Sequence, residues 1–282
     1  MSRWLKVLLT SSAVVALAPA TASAQEFQDC EDCPAMVEIP AGDFTRALNA
    51  EAPRQDVSVG AFAIGKYEVT VGEFAAFVEA TSYEVPAGCE LFNVMGPIDD
   101  PDASWRRPGS SVPDDAPAVC LTFDDANAYV DWLAETTGEP YRLPTEAEWD
   151  YAAHGEQETN LSYFLRAGLG RNDANCQDCS GFDLMGREDL LFPVPVDTYA
   201  ANAYGLHVMF GNAAEWVADC HNPSYEGAPT DGTAWLEGDC DTRIVRGGGW
   251  SSFWADLAGG RPATDPGIRD NAIGFRVARD LD

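Results

Sequence analysis

The sequence predicts an α+β fold, a single domain with little regular secondary structure and long ordered loops. Three observations lead there. Thr70-x-x-Glu73, Thr122-x-x-Asp125 and Thr145-x-x-Glu148 each open a short run of helical periodicity, because a threonine at the N-cap and an acid three residues on satisfy the helix's free amide donors. The strand-like runs are brief, as in Met36–Phe44, Phe62–Val69 and Ile244–Val245, and their β-branched and aromatic residues suit a pleated surface. Beyond His154 the chain keeps neither period for a long stretch, as expected of ordered loops between few elements.

In order along the chain, Arg3 and Lys6 precede an apolar run, Val7–Leu17, and Ala22-Ser23-Ala24 has the A-x-A form of a cleavage signal. Met1–Ala24 reads as a cleaved export signal, too short in its apolar part for the roughly 20 residues of a membrane span. Residues 25–282 then form one domain, with a periplasmic or secreted location and no membrane insertion after cleavage. The chain has 46 Asp and Glu against 17 Lys and Arg, a formal charge of −29. Such a surface repels phosphate backbones and anionic lipid, so nucleic acid is not an expected partner.

Eight cysteines lie at 30, 33, 89, 120, 176, 179, 220 and 240. An even count in an exported chain implies disulfides. Cys30-x-x-Cys33 and Cys176-x-x-Cys179 have the spacing of zinc half-sites as well as of local disulfides; export favours the latter. Cys89 with Cys120 and Cys220 with Cys240 are the simplest remaining pairs.

Val71, Phe74 and Val78 are expected to share the buried face of the first helix. Ala126, Tyr129, Val130 and Leu133 play that part in the second, and Trp149, Ala152 and Ala153 in the third. Gly138 and Gly155 stand where the second and third helices should end. Gly96–Pro117 reads as an insertion loop. His154, His207 and His221 are the only histidines, and they form no metal-ligand spacing; no nucleophile elbow or P-loop occurs either.

Four motifs remain, in this order: Arg142-Leu-Pro-Thr-Glu-Ala-Glu-Trp149, Tyr204-Gly-Leu-His-Val-Met-Phe-Gly-Asn-Ala-Ala-Glu-Trp216, Arg243-Ile-Val-Arg-Gly-Gly-Gly-Trp250 and Ile273-Gly-Phe-Arg-Val-Ala-Arg279. Together, from about Met36 to Arg279, they resemble the formylglycine-generating enzyme family, also called sulfatase-modifying factors. The resemblance implies that family's C-type-lectin-like fold. It also implies an oxygen-dependent copper oxidase whose two cysteine thiolates follow a Gly-Gly-Ser-Trp-like turn. On that pattern the turn serine falls on Gly249 and the two cysteines on Ser252 and Leu257. Soft thiolates hold Cu(I), whereas a hydroxyl does so poorly and an alkyl group not at all. Copper is therefore not expected, and no catalytic residue is carried over.

Calcium is the cofactor the resemblance still allows. One set comprises Asn175, the Cys176 carbonyl and Asp189; a second comprises the Gly211 and Ala213 carbonyls with Glu215, the family's further side-chain ligand being replaced by Val208. Calcium takes six to eight oxygens. Trp250, Ser252, Trp254 and Arg261, with Trp235 nearby, are read as a shallow pocket whose exposed rings stack on a sugar or a peptide. The expected function is that of a binding or accessory module for a peptide, protein or glycan. A periplasmic tailoring oxidoreductase of altered chemistry is the alternative, with Asp256, Arg261, Arg269 and Asp270 as its candidate polar groups. A retained sulfatase activator is the third reading.

Overall fold

The computed structural model describes residues 25–47, 52–93, 96–154, 173–177, 179, 192–257 and 260–281. The predicted export signal 1–24, the predicted helix stop at Gly155 and the calcium candidate Asp189 lie outside the described residues.

Along the chain come β1 (Glu26–Phe27), β2 (Met36–Ile39), β3 (Gly42–Arg46), β4 (Gln55–Val59), β5 (Phe62–Gly65) and α1 (Val71–Thr81). Next are β6 (Cys89–Asn93), β7 (Gly96–Asp100), α2 (Phe123–Thr137), β8 (Tyr141–Arg142) and α3 (Glu146–His154). The last third holds β9 (Ala214–His221), β10 (Asp239–Arg246), α4 (Trp254–Leu257), β11 (Ala263–Thr264), β12 (Ile273–Phe275) and β13 (Ala278–Asp280).

An antiparallel sheet runs β1-β2-β5-β13-β8, and a second runs β11-β10-β9-β12, with β9 and β12 parallel. Both are covered on two faces. Successive strand side chains point to opposite sides, so Val37, Ile39, Phe62 and Ile64 join one core with Trp149, Tyr151 and Ala152 of α3. Met36, Ala63 and Val277 join the other with Phe74 and Phe77 of α1 and Tyr129 and Leu133 of α2. The second sheet divides in the same way, Val217 and Ile244 facing the first core and Trp216 and Val245 the second. Double burial explains why β5, Phe62–Gly65, is apolar throughout instead of alternating with polar residues.

The caps are as the spacing predicts. Thr70 and Glu73 close a capping box on α1, and Thr122 and Asp125 close one on α2. On α3 the Glu148 amide donates to Thr145 Oγ1 at 3.0 Å, and the Thr145 amide to Glu148 Oε2 at 2.9 Å. Gly138 ends α2 in the left-handed region at φ 76°.

Three expectations change. Phe77, not Val78, is the third buried residue of α1, because aromatic packing with Phe74 and Tyr129 turns that side inward. The stretch from Gly96 begins as β7, hairpinned to β6, rather than as irregular loop. Most consequentially, α3 is buried on every side, including Glu146, Glu148, Asp150 and His154. It avoids the cost of unpaired buried charge because Arg46, Arg246 and Arg261 surround Glu146 and Asp150 while Arg142 grips Glu148.

All eight cysteines are paired, as Cys30–Cys33, Cys89–Cys120, Cys176–Cys179 and Cys220–Cys240. No described helix is long and apolar enough to cross a membrane.

Candidate functional site

The Arg-Gly-Gly-Gly-Trp run leaves β10 in a turn that leads into α4, and the glycines are there for space. At Gly248, with φ +65°, an added Cβ would meet Leu257 Cδ2 at 2.7 Å and Ser252 Oγ at 3.2 Å. The side chains of Ser252 and Leu257 therefore flank one point. At Gly249 an added Cβ would stand 2.6 Å from the Ala272 carbonyl oxygen, so a serine does not fit without moving the backbone.

The turn is held from within. The Gly249 amide donates to Ser252 Oγ at 3.1 Å, and the Ser252 amide to the Gly249 carbonyl at 2.9 Å. The Trp250 amide donates to the Asn212 carbonyl at 2.8 Å, and its indole Nε1 to the Asn271 carbonyl at 3.0 Å. Trp250 is 2% exposed and lies between Phe92 and Phe192, so it is a core anchor and not a stacking face. Leu257 is likewise buried, at 1%. Phe253 carries the exposed ring instead, at 53%, beside a half-buried Trp254.

Asn212 is the post beneath the turn. Its backbone is left-handed at φ 63°. Its side-chain oxygen accepts from the Val194 amide at 2.8 Å and from Asn175 Nδ2 at 3.2 Å, and its amide group donates to Glu68 Oε2 at 2.9 Å. Glu68 Oε1 accepts from the Ala213 amide at 2.9 Å. Glu215, adjacent, receives three donors at 2.6 Å: Arg276 Nε, Arg276 Nη2 and Trp149 Nε1. Burial, reinforced by the Glu215 charge and opposed by Arg276, pushes the Glu68 carboxyl up to about 8.

The other pocket candidates do not converge here. Arg261 turns away, donating from Nε to Glu146 at 2.5 Å and from Nη1 to the Asn222 carbonyl, with its guanidinium over the Tyr225 ring. It belongs to the ion-pair cluster around α3, where Arg246 also pairs with Asp150. Trp235 is fixed at the end of β9, its amide on Asp219 Oδ1 and its carbonyl on the Cys220 amide. Arg269 pairs with Asp125, while Asp270 caps the Ala272 amide and is pushed up to about 6 by burial. Sequence reasoning gave no role to Glu68 or to Arg276 within its motif, because their gathering around Asn212 and Glu215 is a long-range event.

The family described as "Sulfatase-modifying factor enzyme 1-like domain" matches residues 21–281. The chain belongs to this family. It is similar to the formylglycine-generating enzyme of Streptomyces coelicolor, 29% identical over 87% of this chain and 89% of that one. A mouse relative named inactive C-alpha-formylglycine-generating enzyme 2 is 27% identical over 87% of this chain and 85% of its own. Among solved structures, PvdO from Pseudomonas aeruginosa superposes with a TM-score of 0.75 at 32% identity, covering 93% of this chain and all of that one. These likenesses confirm the formylglycine-generating-enzyme fold.

With the family established, its metal positions can be tested against the residues present. At the copper positions, a methyl of Leu257 and the hydroxyl of Ser252 share the point beside Gly248. Neither is a soft ligand, so the residues do not fit Cu(I). In the second calcium set, Glu215 is already neutralised by Arg276 and is not offered to an ion. In the first set, Asn175 is buried with its carbonyl taken by the Asn212 amide at 2.8 Å and its Nδ2 donating to the Phe192 carbonyl at 3.0 Å. Cys176 is tied to Cys179.

Proposed function

We propose that this chain is an exported family member that binds a peptide, protein or glycan and does not generate formylglycine. One observation carries the reading: Leu257 and Ser252 occupy the point where the family's chemistry calls for two thiolates. Every cysteine elsewhere is committed to a disulfide, so no free thiol substitutes for them. Four disulfides also support an oxidising compartment. The mouse relative's name adds that a protein of this kind exists without the activity. The ligand-facing group is the Phe253 ring, exposed at the tip of a turn that Trp250 and Asn212 hold rigid, because a pre-ordered aromatic face binds at low entropic cost. Calcium enters this proposal only at the Asn175, Cys176 and Asp189 set, as a structural ion. The test supplies the purified protein with copper, oxygen and a sulfatase-type cysteine peptide and follows the peptide by mass. The peptide is expected back unmodified; conversion of its cysteine to formylglycine would overturn the reading.

A further inference from the structure

The segment that carries the Cys176–Cys179 disulfide is bonded to the turn. Gln177, between the two cysteines, donates its amide to the Ser252 carbonyl at 2.8 Å, and Asn175, just before them, accepts the Asn212 amide at 2.8 Å. The segment 175–177 is thus strapped to both supports of the turn, Asn212 beneath Trp250 and Ser252 itself. The strap is tight, since a Cβ at Gly211 would fall 2.3 Å from the Asn175 carbonyl oxygen.

Stability explains this disulfide poorly. It joins residues three apart, against separations of 31 for Cys89–Cys120 and 20 for Cys220–Cys240, and short loops lose little chain entropy on closure. Cys-x-x-Cys is also the spacing at which one thiol is poised to resolve a mixed disulfide formed by the other. Cys30–Cys33 has the same spacing but lies at the edge of the five-stranded sheet, with no bond to the turn.

We propose that Cys176–Cys179 is a reversible thiol–disulfide exchange site, its partner an external dithiol, and that its redox state sets the order of the Ser252 turn. A thiolate of the dithiol attacks Cys176 Sγ, in the residue of this buried pair that keeps some exposure, 5% against 0% for Cys179, and Cys179 leaves as a thiolate. The second thiol of the reductant attacks the mixed disulfide and releases Cys176. Two electrons pass to Cys176 and Cys179, the reductant becomes a disulfide, and its two protons balance the two new thiols. Freed of its ring, segment 175–177 holds Ser252 less firmly. The site goes beyond the binding reading and touches it only in that the turn carries Phe253; exchange at the two cysteines is read without any ligand, so its failure and that of the binding reading are told apart.

The full oxidised chain is equilibrated in buffers of reduced and oxidised dithiothreitol, trapped with N-ethylmaleimide and mapped by peptide mass. The same samples are followed by hydrogen exchange. Cys176 and Cys179 are expected to label at a poise where the other three disulfides stay closed, with amide exchange over residues 249–257 faster by tenfold or more. Labelling only together with the other pairs, or only under denaturing conditions, would overturn the exchange site. Selective labelling with unchanged exchange over 249–257 would overturn its control of the turn. A Cys176→Ser, Cys179→Ser double variant checks the coupling independently: it should show fast exchange over 249–257 under oxidising conditions, and native-like exchange there would contradict the proposal.

Discussion

Replacing Thr145 by alanine removes two interactions at once. Its hydroxyl accepts from the Glu148 amide at 3.0 Å and donates to the Gly232 carbonyl at 2.8 Å, in a site where Thr145 is 6% exposed. Loss of an N-cap costs about 1 kcal/mol. Stranding a buried carbonyl costs about 1 kcal/mol more, toward the lower end for an unsatisfied acceptor. The sum of about 2 kcal/mol exceeds what the capping pattern alone predicts, because Gly232 lies far along the chain and is invisible to local sequence. For a domain of this size it should lower Tm by about 4 to 8 °C. Urea unfolding with the disulfides intact measures it, with Thr145→Ser as the control that keeps both bonds. An alanine variant within about 0.5 kcal/mol of the parent, or a serine variant equally damaged, would refute the reasoning.

Further outcomes are expected. Denatured without reductant, the oxidised protein should react with no equivalents of a thiol reagent, its cysteines being paired; two reactive thiols would refute that. Arg276→Ala should cost about 3 to 5 kcal/mol in urea unfolding, since it leaves the buried Glu215 carboxylate unpaired. Glu68 makes stability fall as pH rises. Its folded value of about 8 lies above the ordinary 4.5, so the native state holds a proton that the unfolded chain has lost. His154 works in the other direction, pushed down to about 3 by burial, but that contribution is complete above its ordinary 6.5. Between about pH 6.5 and 8 the Glu68 trend is therefore unopposed by His154 and amounts to at most about 2 kcal/mol. Glu68→Gln should flatten the profile in that window, and a slope unchanged by the substitution would contradict the assignment.

Much of this architecture was legible in local patterns. The three caps, the Gly138 stop and the pairing of Met36–Ile39 with Phe62–Gly65 depend on nearby chemistry or on short apolar runs. What escaped was burial decided at long range. Helix α3 reads as amphipathic, yet arginines from β3, β10 and the segment after α4 arrive to neutralise its polar side. The same contacts remove Arg261 from the turn, where motif position alone had placed it. Trp250 illustrates the converse: its place beside the glycines suggested an exposed ring, but its indole finds a buried acceptor in Asn271. Ser252 and Leu257 were identified by register with the family motif, and the structure brings their side chains to one point.

That point is where the account is most directly tested, by an anaerobic Cu(I) competition titration on the oxidised protein and on a Ser252→Cys, Leu257→Cys variant. Both cysteines would flank Gly248, where Leu257 Cδ2 and Ser252 Oγ now sit, so the double variant should gain copper affinity by orders of magnitude while either single change gains little. The parent should show no stoichiometric tight binding. Tight Cu(I) at one equivalent in the parent would mean that this chain assembles another ligand set, and would contradict the claim that it has left copper chemistry behind.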